Sequence, residues 1–463
     1  MHNISDASIL TEFSHAPLGD QRLSKRLGQL AEAFAHQPHA SIPIANGDWG
    51  QTCAAYRFFD NPHVQPHDLL APHTARTLQR ASTVPLALAV NDTTTLNYSH
   101  RPATTGLGPI GNNPDKTLGL HLHSLLAFTP QRQPLGVLDV QCWARDPATF
   151  GANRQRNRRP VAAKESAKWL RSYQALQTHA AQTPATRWVF VADREADLYE
   201  LFELARATPQ SPAVLVRMQH DRGLDQSEHR LFTHLTRAPQ AGQIPVAVPR
   251  RPGQAARTAT VSLRFCPVTL RPPLLKKGRP ALALWAIEAR EEHPPRGVTA
   301  LHWRLLTTLP VASLAAALEQ VGWYCVRWSI EVFHKVLKSG CEVEAVQLET
   351  AVRLQRYVMI KLVVAWRVLA LTHLGRQRPD AAISEILEQA EWQVLRAVAR
   401  RGSAVAVGEP TVRDALRWLG QLGGHLGRRG DETPGPLSLA RGLQRLADLT
   451  TGWKQAQAAQ GCA

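Results

Sequence analysis

The sequence is short of everything that builds a zinc ribbon, a disulfide scaffold or a membrane span. Its six cysteines (Cys53, Cys142, Cys266, Cys325, Cys341 and Cys462) form no Cys-x-x-Cys pair. That argues against zinc ribbons and a disulfide framework and fits a reducing cytosol. None of the 19 histidines sits in a His-Glu-x-x-His motif; His121 and His123 alternate on a predicted strand and read as packing or surface residues. The most apolar helical stretch, 357–374, is interrupted by Lys361, Arg367 and His373, so a buried helix is expected there rather than a membrane span. Asp6 and Glu12 have no apolar run beside them, so no signal peptide is expected. Acid is the last scarcity: 37 Asp and Glu against 54 Lys and Arg give a formal charge of +17. Such an excess favours a polyanionic partner, because neutralising phosphates releases counterions. An Arg-rich genome would give the same imbalance.

At 463 residues the chain exceeds one hydrophobic core, and three regions are expected. Residues 1–72 read as short helices. Asp20 is set to cap a helix through Arg22, Lys25, Arg26, Leu27, Leu30 and Phe34, apolar on one side and basic on the other. A second helix carries Trp49, Cys53, Tyr56, Arg57 and Phe58 and stops at Asp60-Asn61-Pro62. This region is either a DNA-end reader, with Arg22 and Arg26 on its basic face, or a helical cap on the adjoining domain. Residues 73–374 open with the continuous apolar run 84–90, of the kind buried on both faces of a sheet. Strands come next at 120–128 and 135–143, then a helix at about 162–180, a strand at 188–192, a helix at 198–205 and a strand at 213–218. From about 221 to 310 the helical pattern disappears; segments 246–248, 259–265 and 281–287 alternate around the basic turn Lys276-Lys277-Gly278-Arg279 and predict an antiparallel β insertion solvated on one face. Helices return from 314, with a break near 423–430, and residues 375–463 read as a helical C-terminal domain. The fold class is α/β: a mixed sheet with an antiparallel β insertion, flanked by helical N- and C-terminal domains.

Three carboxylates stand out by position. Asp92 comes directly after the run 84–90 in Asn91-Asp-Thr-Thr-Thr95, and Asp193 directly after the strand 188–192 in Asp193-Arg-Glu-Ala-Asp197. A carboxylate at the mouth of a buried strand is rigid yet reaches solvent, as a Mg²⁺ ligand must; a helix cap or turn is the plainer reading of each Asp alone. Glu331 lies in a helical segment, where Tyr324, Arg327, Glu331 and Lys338 share one stripe at roughly 100° per residue. Lys335 stands just to its side, while Trp328, Val332, Val336 and Leu337 can face elsewhere and pack. An acid that ligates metal beside cations that hold phosphates suits phosphoryl transfer. A solvated charged face with an Arg327–Glu331 pair is the alternative.

The spacing Tyr-x2-Arg-x3-Glu-x6-Lys at Tyr324, Arg327, Glu331 and Lys338 resembles the signature of the insertion-sequence-four family of DDE transposases. The Asp-Thr-Thr block at 92 and the Asp-Arg-Glu-Ala-Asp block at 193 are similar too. So are Gly19-Asp20-x-Arg22, Ala55-Tyr-Arg-Phe58, Lys164-Glu-Ser-x-Lys-Trp169 and Trp303-x-Leu-Leu-Thr307. The resemblance implies a ribonuclease-H-like core in which Asp92, Asp193 and Glu331 bind two Mg²⁺ ions, with Mn²⁺ able to substitute. It implies nicking of transposon ends, hairpin formation and resolution, and joining to target DNA. Arg327, Lys338 and Lys335 would hold end phosphates, Arg217 would touch the backbone, and Tyr324 and Trp303 would handle a base flipped during hairpin formation, Trp303 stacking on it. A packed indole is the alternative for Trp303. Family members pair as homodimers through the C-terminal region, which is matched here only loosely; residues 98–114 diverge. A bacterial cytoplasmic, nucleoid-associated setting without a membrane partner is expected. Competing readings are a catalytically silent end-binding protein, a nuclease for structured DNA, and a basic transcription regulator, which would leave the triad unexplained.

Overall fold

The computed structural model describes residues 9–111, 117–149, 161, 164–225, 227–248, 255–274, 278–399, 408–428 and 433–461. Five helices come first: α1 (Ile9–Glu12), α2 (Gln21–His36), α3 (Ile42–Asn46), α4 (Trp49–Asp60) and α5 (Pro66–Ala81). As expected, Asp20 caps α2, accepting the Arg22 amide at 2.7 Å. Leu27, Leu30, Ala31, Phe34 and Ala35 then bury one helical stripe. The middle of the chain contributes β1 (Leu86–Asn97), β2 (Gly108–Pro109), β3 (Leu118–Phe128), β4 (Pro134–Trp143), α6 (Ala167–Gln182), β5 (Arg187–Ala192), α7 (Tyr199–Arg206) and β6 (Ala213–Arg217). It continues with α8 (Leu231–Arg237), β7 (Gln240–Val248), β8 (Arg257–Leu270), β9 (Leu282–Glu291) and β10 (His302–Thr307). The rest is helical: α9 (Leu314–Val326), α10 (Trp328–Lys335), a π-helical turn Val336–Gly340, α11 (Ala351–Gln377), α12 (Gln389–Ala399), α13 (Val412–Leu422) and α14 (Pro436–Gly461).

The strands form one ten-stranded mixed sheet in the order β2-β3-β1-β5-β6-β10-β9-β8-β7, with β4 also on β3. The β1–β5 and β5–β6 pairs are parallel and lie in its interior. Their apolar runs follow from cover on both faces. Leu88 and Val90 of β1 join the core under the N- and C-terminal helices, while Ala87 and Ala89 join a second core with Trp169, Tyr173 and Phe202 of α6 and α7.

Several expectations change. β1 runs on through Thr93, Thr94 and Thr95, β-branched residues that pair with β3, so Asp92 lies within the strand rather than after it. α8 falls where no helix was expected. The β insertion is not set apart: β10 pairs antiparallel with β6 and carries β9, β8 and β7 onto the same sheet. Nor is one of its faces simply solvated. Ala259, Val261 and Leu263 of β8 bury on one side, and Val268 and Leu270, out of phase with them, on the other. The expected boundaries at 72 and 374 fall inside α5 and α11. Lys276, Lys277 and Cys462 lie outside the described residues.

α11 is long and apolar enough to cross a membrane, yet 83% of its most apolar window is buried inside the protein. The Lys361 ammonium in its middle donates to the Pro38 carbonyl at 2.8 Å and lies over the Phe34 ring. A second buried ionic contact ties α1 to the sheet. Glu12, 1% exposed, accepts from Arg80 at 2.6 Å and from the His73 ring. His73 Nε2 accepts the Val137 amide of β4 at 2.9 Å, which makes the ring the neutral Nδ1–H tautomer. Burial pushes the Glu12 carboxyl up, but the His73 and Arg80 contacts outweigh it and hold it down to about 2.

Candidate active site

The sheet brings the two aspartates together. Asp92 sits on the same face of β1 as Leu88 and Val90, and the parallel register pairs Val90 with Val191 of β5. Continuing that register by two residues sets Asp92 level with Asp193, just past the end of β5. The Thr93 amide donates to Asp92 Oδ1 at 2.7 Å. Asp193 caps the short turn 194–196, accepting the Glu195 amide at 2.9 Å, as the capping reading expects. Burial pushes the Asp92 carboxyl up to about 6, against the Thr93 amide and Arg327 and with help from the Asp193 and Glu331 charges. Burial raises Asp193 as well.

Glu331 arrives from α10, and its side chain is 50% exposed. Arg327 stands at the break between α9 and α10 and bridges the two halves of the site: Nη1 is 3.1 Å from Asp92 Oδ2 and Nη2 2.6 Å from Glu331 Oε1. The segment 324–338 is therefore not one straight stripe. Tyr324 is buried at 3% exposure with Arg327 over its ring, while Trp328 and Val332, expected to pack, are exposed. The π-helical turn carries Lys338 to Glu344, 3.5 Å away; the same Glu344 oxygen accepts the Asn97 amide at the end of β1 at 2.7 Å. Lys335 is exposed on α10. Trp303 of β10 is 6% exposed and meets Trp328 edge to face at 6.0 Å. Arg217 ends β6 and donates to the His302 carbonyl at 3.1 Å. Arg22 and Arg26 lie away on α2, paired with Asp20 and Gln51.

Other residues support this site without having been assigned a role from sequence. Asp197, 1% exposed, accepts the Gln219 and His220 amides and Arg222, so the second aspartate of the 193–197 block braces the loop after β6. Lys168 pairs with Glu195 at 3.1 Å, beside Asp193; its place in the 164–169 block was the available signal. His123 packs behind the strand with its Nδ1 2.7 Å from Thr93 Oγ1 and its ring against Trp169, and His121 stacks on Trp143.

The donor set suits a hard divalent cation: three carboxylates, two of them raised by burial, with Asp92 and Glu331 already sharing one cationic group. Among the described residues, however, no three His, Cys, Asp or Glu side chains stand close enough to hold a metal ion as they are. The Arg327 guanidinium lies between Asp92 and Glu331 instead.

Residues 6–64 match the family model described as transposase DNA-binding, and residues 363–461 match the one described as Tn5 transposase dimerisation domain. A chain carrying the first before its central sheet and the second after it resembles a Tn5-type transposase at both ends. The cryo-EM structure of a piggyBac transposase synaptic complex with hairpin DNA aligns with 67% of this chain at 11% identity and a TM-score of 0.33. The chain spans about half the length of that transposase, 52%.

Proposed function

We propose that this protein performs cut-and-paste transposition by two-metal phosphoryl transfer at Asp92, Asp193 and Glu331, on a ribonuclease-H-like core. The observation that carries the proposal is that adjacent parallel strands set Asp92 level with Asp193 while the Arg327 side chain joins Asp92 to Glu331 of α10. Mg²⁺ or Mn²⁺, when bound, would supply activation of water or a 3′-hydroxyl and neutralisation of the leaving oxygen. The strand-borne aspartates fix the ligand positions, and Glu331 closes the set from α10. Arg327, Lys338 and Lys335 hold phosphates of the transposon end, Arg217 contacts its backbone, and Tyr324 and Trp303 handle a flipped base. Arg22 and Arg26 of α2 contribute to end binding by the N-terminal helices, and two copies pair through the C-terminal helices when two ends are joined. The setting is a bacterial cytoplasm, at the nucleoid.

The test incubates the protein with the terminal DNA of its own element in Mg²⁺ and in EDTA, beside Glu331→Ala. Metal-dependent nicks and hairpins at the element's edge, lost in the variant while end binding persists, support the proposal. A Glu331→Ala protein that still cuts would refute the assignment. End binding without cleavage by the wild type would leave a silent end-binding protein, and cleavage without joining a nuclease.

A further inference from the structure

Arg327 occupies a confined place. Its side chain is 11% exposed, its Nε is buried with no hydrogen-bond partner, and the rings of Tyr324 and Trp328 lie 6.0 Å from its guanidinium carbon. The residue sits at the joint between two helices rather than inside one. Both of its acceptors are carboxylates of the proposed metal site. A guanidinium spreads its donors over a planar fork, whereas metal ligands close to about 2.1 Å from a single centre. Carboxylates bridged by such a fork therefore stand farther apart than carboxylates sharing an ion. A phosphate offers the same fork equivalent charge-assisted acceptors, so transfer to DNA trades one such pairing for another.

We infer that Arg327 is an exchangeable internal cation. In the free protein it neutralises Asp92 and Glu331 and keeps them apart; a DNA phosphate draws it off, so divalent metal and DNA enter the site cooperatively. By linkage, each must then tighten the other's binding by the same factor. This role for Arg327 rests on the two-metal reading of the same site.

The test measures Mn²⁺ affinity by water-proton relaxation, with and without a phosphorothioate-protected duplex of the terminal sequence, so that no cleavage is read. Without DNA, Arg327→Gln is expected to bind Mn²⁺ about tenfold tighter than wild type, from removal of one competing cation. Arg413→Gln, one exposed charge removed on α13 outside the bridge, should stay within about twofold. Arg327→Lys, which cannot span both carboxylates, should fall between, and serves if the Gln variant fails to fold. The duplex should tighten Mn²⁺ binding in wild type and not in Arg327→Gln. No gain in either Arg327 variant without DNA, or equal tightening by the duplex in all proteins, overturns the inference. Mn²⁺ binding that Asp92→Asn leaves unchanged in the presence of the duplex would overturn the two-metal reading instead.

Discussion

The strand-borne and helix-borne halves of the site are built differently. Asp92 and Asp193 stand at the edge of an interior parallel pair, each fixed by a backbone amide and each raised by burial. Glu331 is half-exposed on a helix of eight residues, between a break at Arg327 and a π-helical turn. π-helical turns and helix breaks often mark functional positions because they let a side chain be re-aimed without unfolding the scaffold. The sheet thus holds two of the proposed ligands where they are, and the helix leaves the third free to adjust.

Aromatic truncation should separate the halves most. Trp303→Ala on β10 opens a buried space and is expected to destabilise the protein by about 3 kcal/mol, against under about 1 for the exposed Trp328→Ala. Equal losses in urea unfolding would erase the contrast. Almost as large is the effect of Glu12→Gln, which breaks the contact anchoring the sheet to α1 and is expected to remove about 3 kcal/mol at pH 7. The Glu12 pKa is depressed to about 2. Its stability is therefore present above its ordinary value of 4.5 and lost as pH falls through about 2, so the variant and wild type should converge in acid.

Asp92→Asn has the opposite sign. The Asp92 pKa is raised from 3.8 to about 6, so the stability tied to its protonated form is present below 3.8 and lost as pH rises through about 6. The neutral Asn should be about 2 kcal/mol more stable than wild type at pH 7, with the gain vanishing near pH 4, while Glu331→Gln stays within about 0.5. A matching gain for Glu331→Gln would mean that the halves do not differ. Smallest of all, Lys335→Ala should leave stability within about 0.5 kcal/mol yet reduce the salt dependence of end binding by about one ion.

Much of this was legible in the residues. Continuous apolar runs marked β1, β5 and β6, Asp20 marked the start of α2, and the spacing of Arg327 and Glu331 foretold their pairing. Asp92 was singled out by its place after an apolar run, but its pairing with Arg327 was not legible, because no local spacing links residues so far apart in sequence. The joining of β10 to β6 was hidden for the same reason: alternation tells which face a strand buries, not which strand it pairs with. No Pro or Gly marks the break at Arg327, so helical periodicity runs straight through it.

α11 is roughly 40 Å long at 1.5 Å per residue and touches α2, α4 and α5 as well as β4, α13 and α14. The match to the dimerisation domain begins in its middle, at residue 363. Cutting the chain there would strip cover from a helix buried on every side, and either fragment would carry raw apolar surface into water. Such a molecule should melt in one cooperative step, with its N-terminal helices, its sheet and its C-terminal helices sharing a single fate on heating.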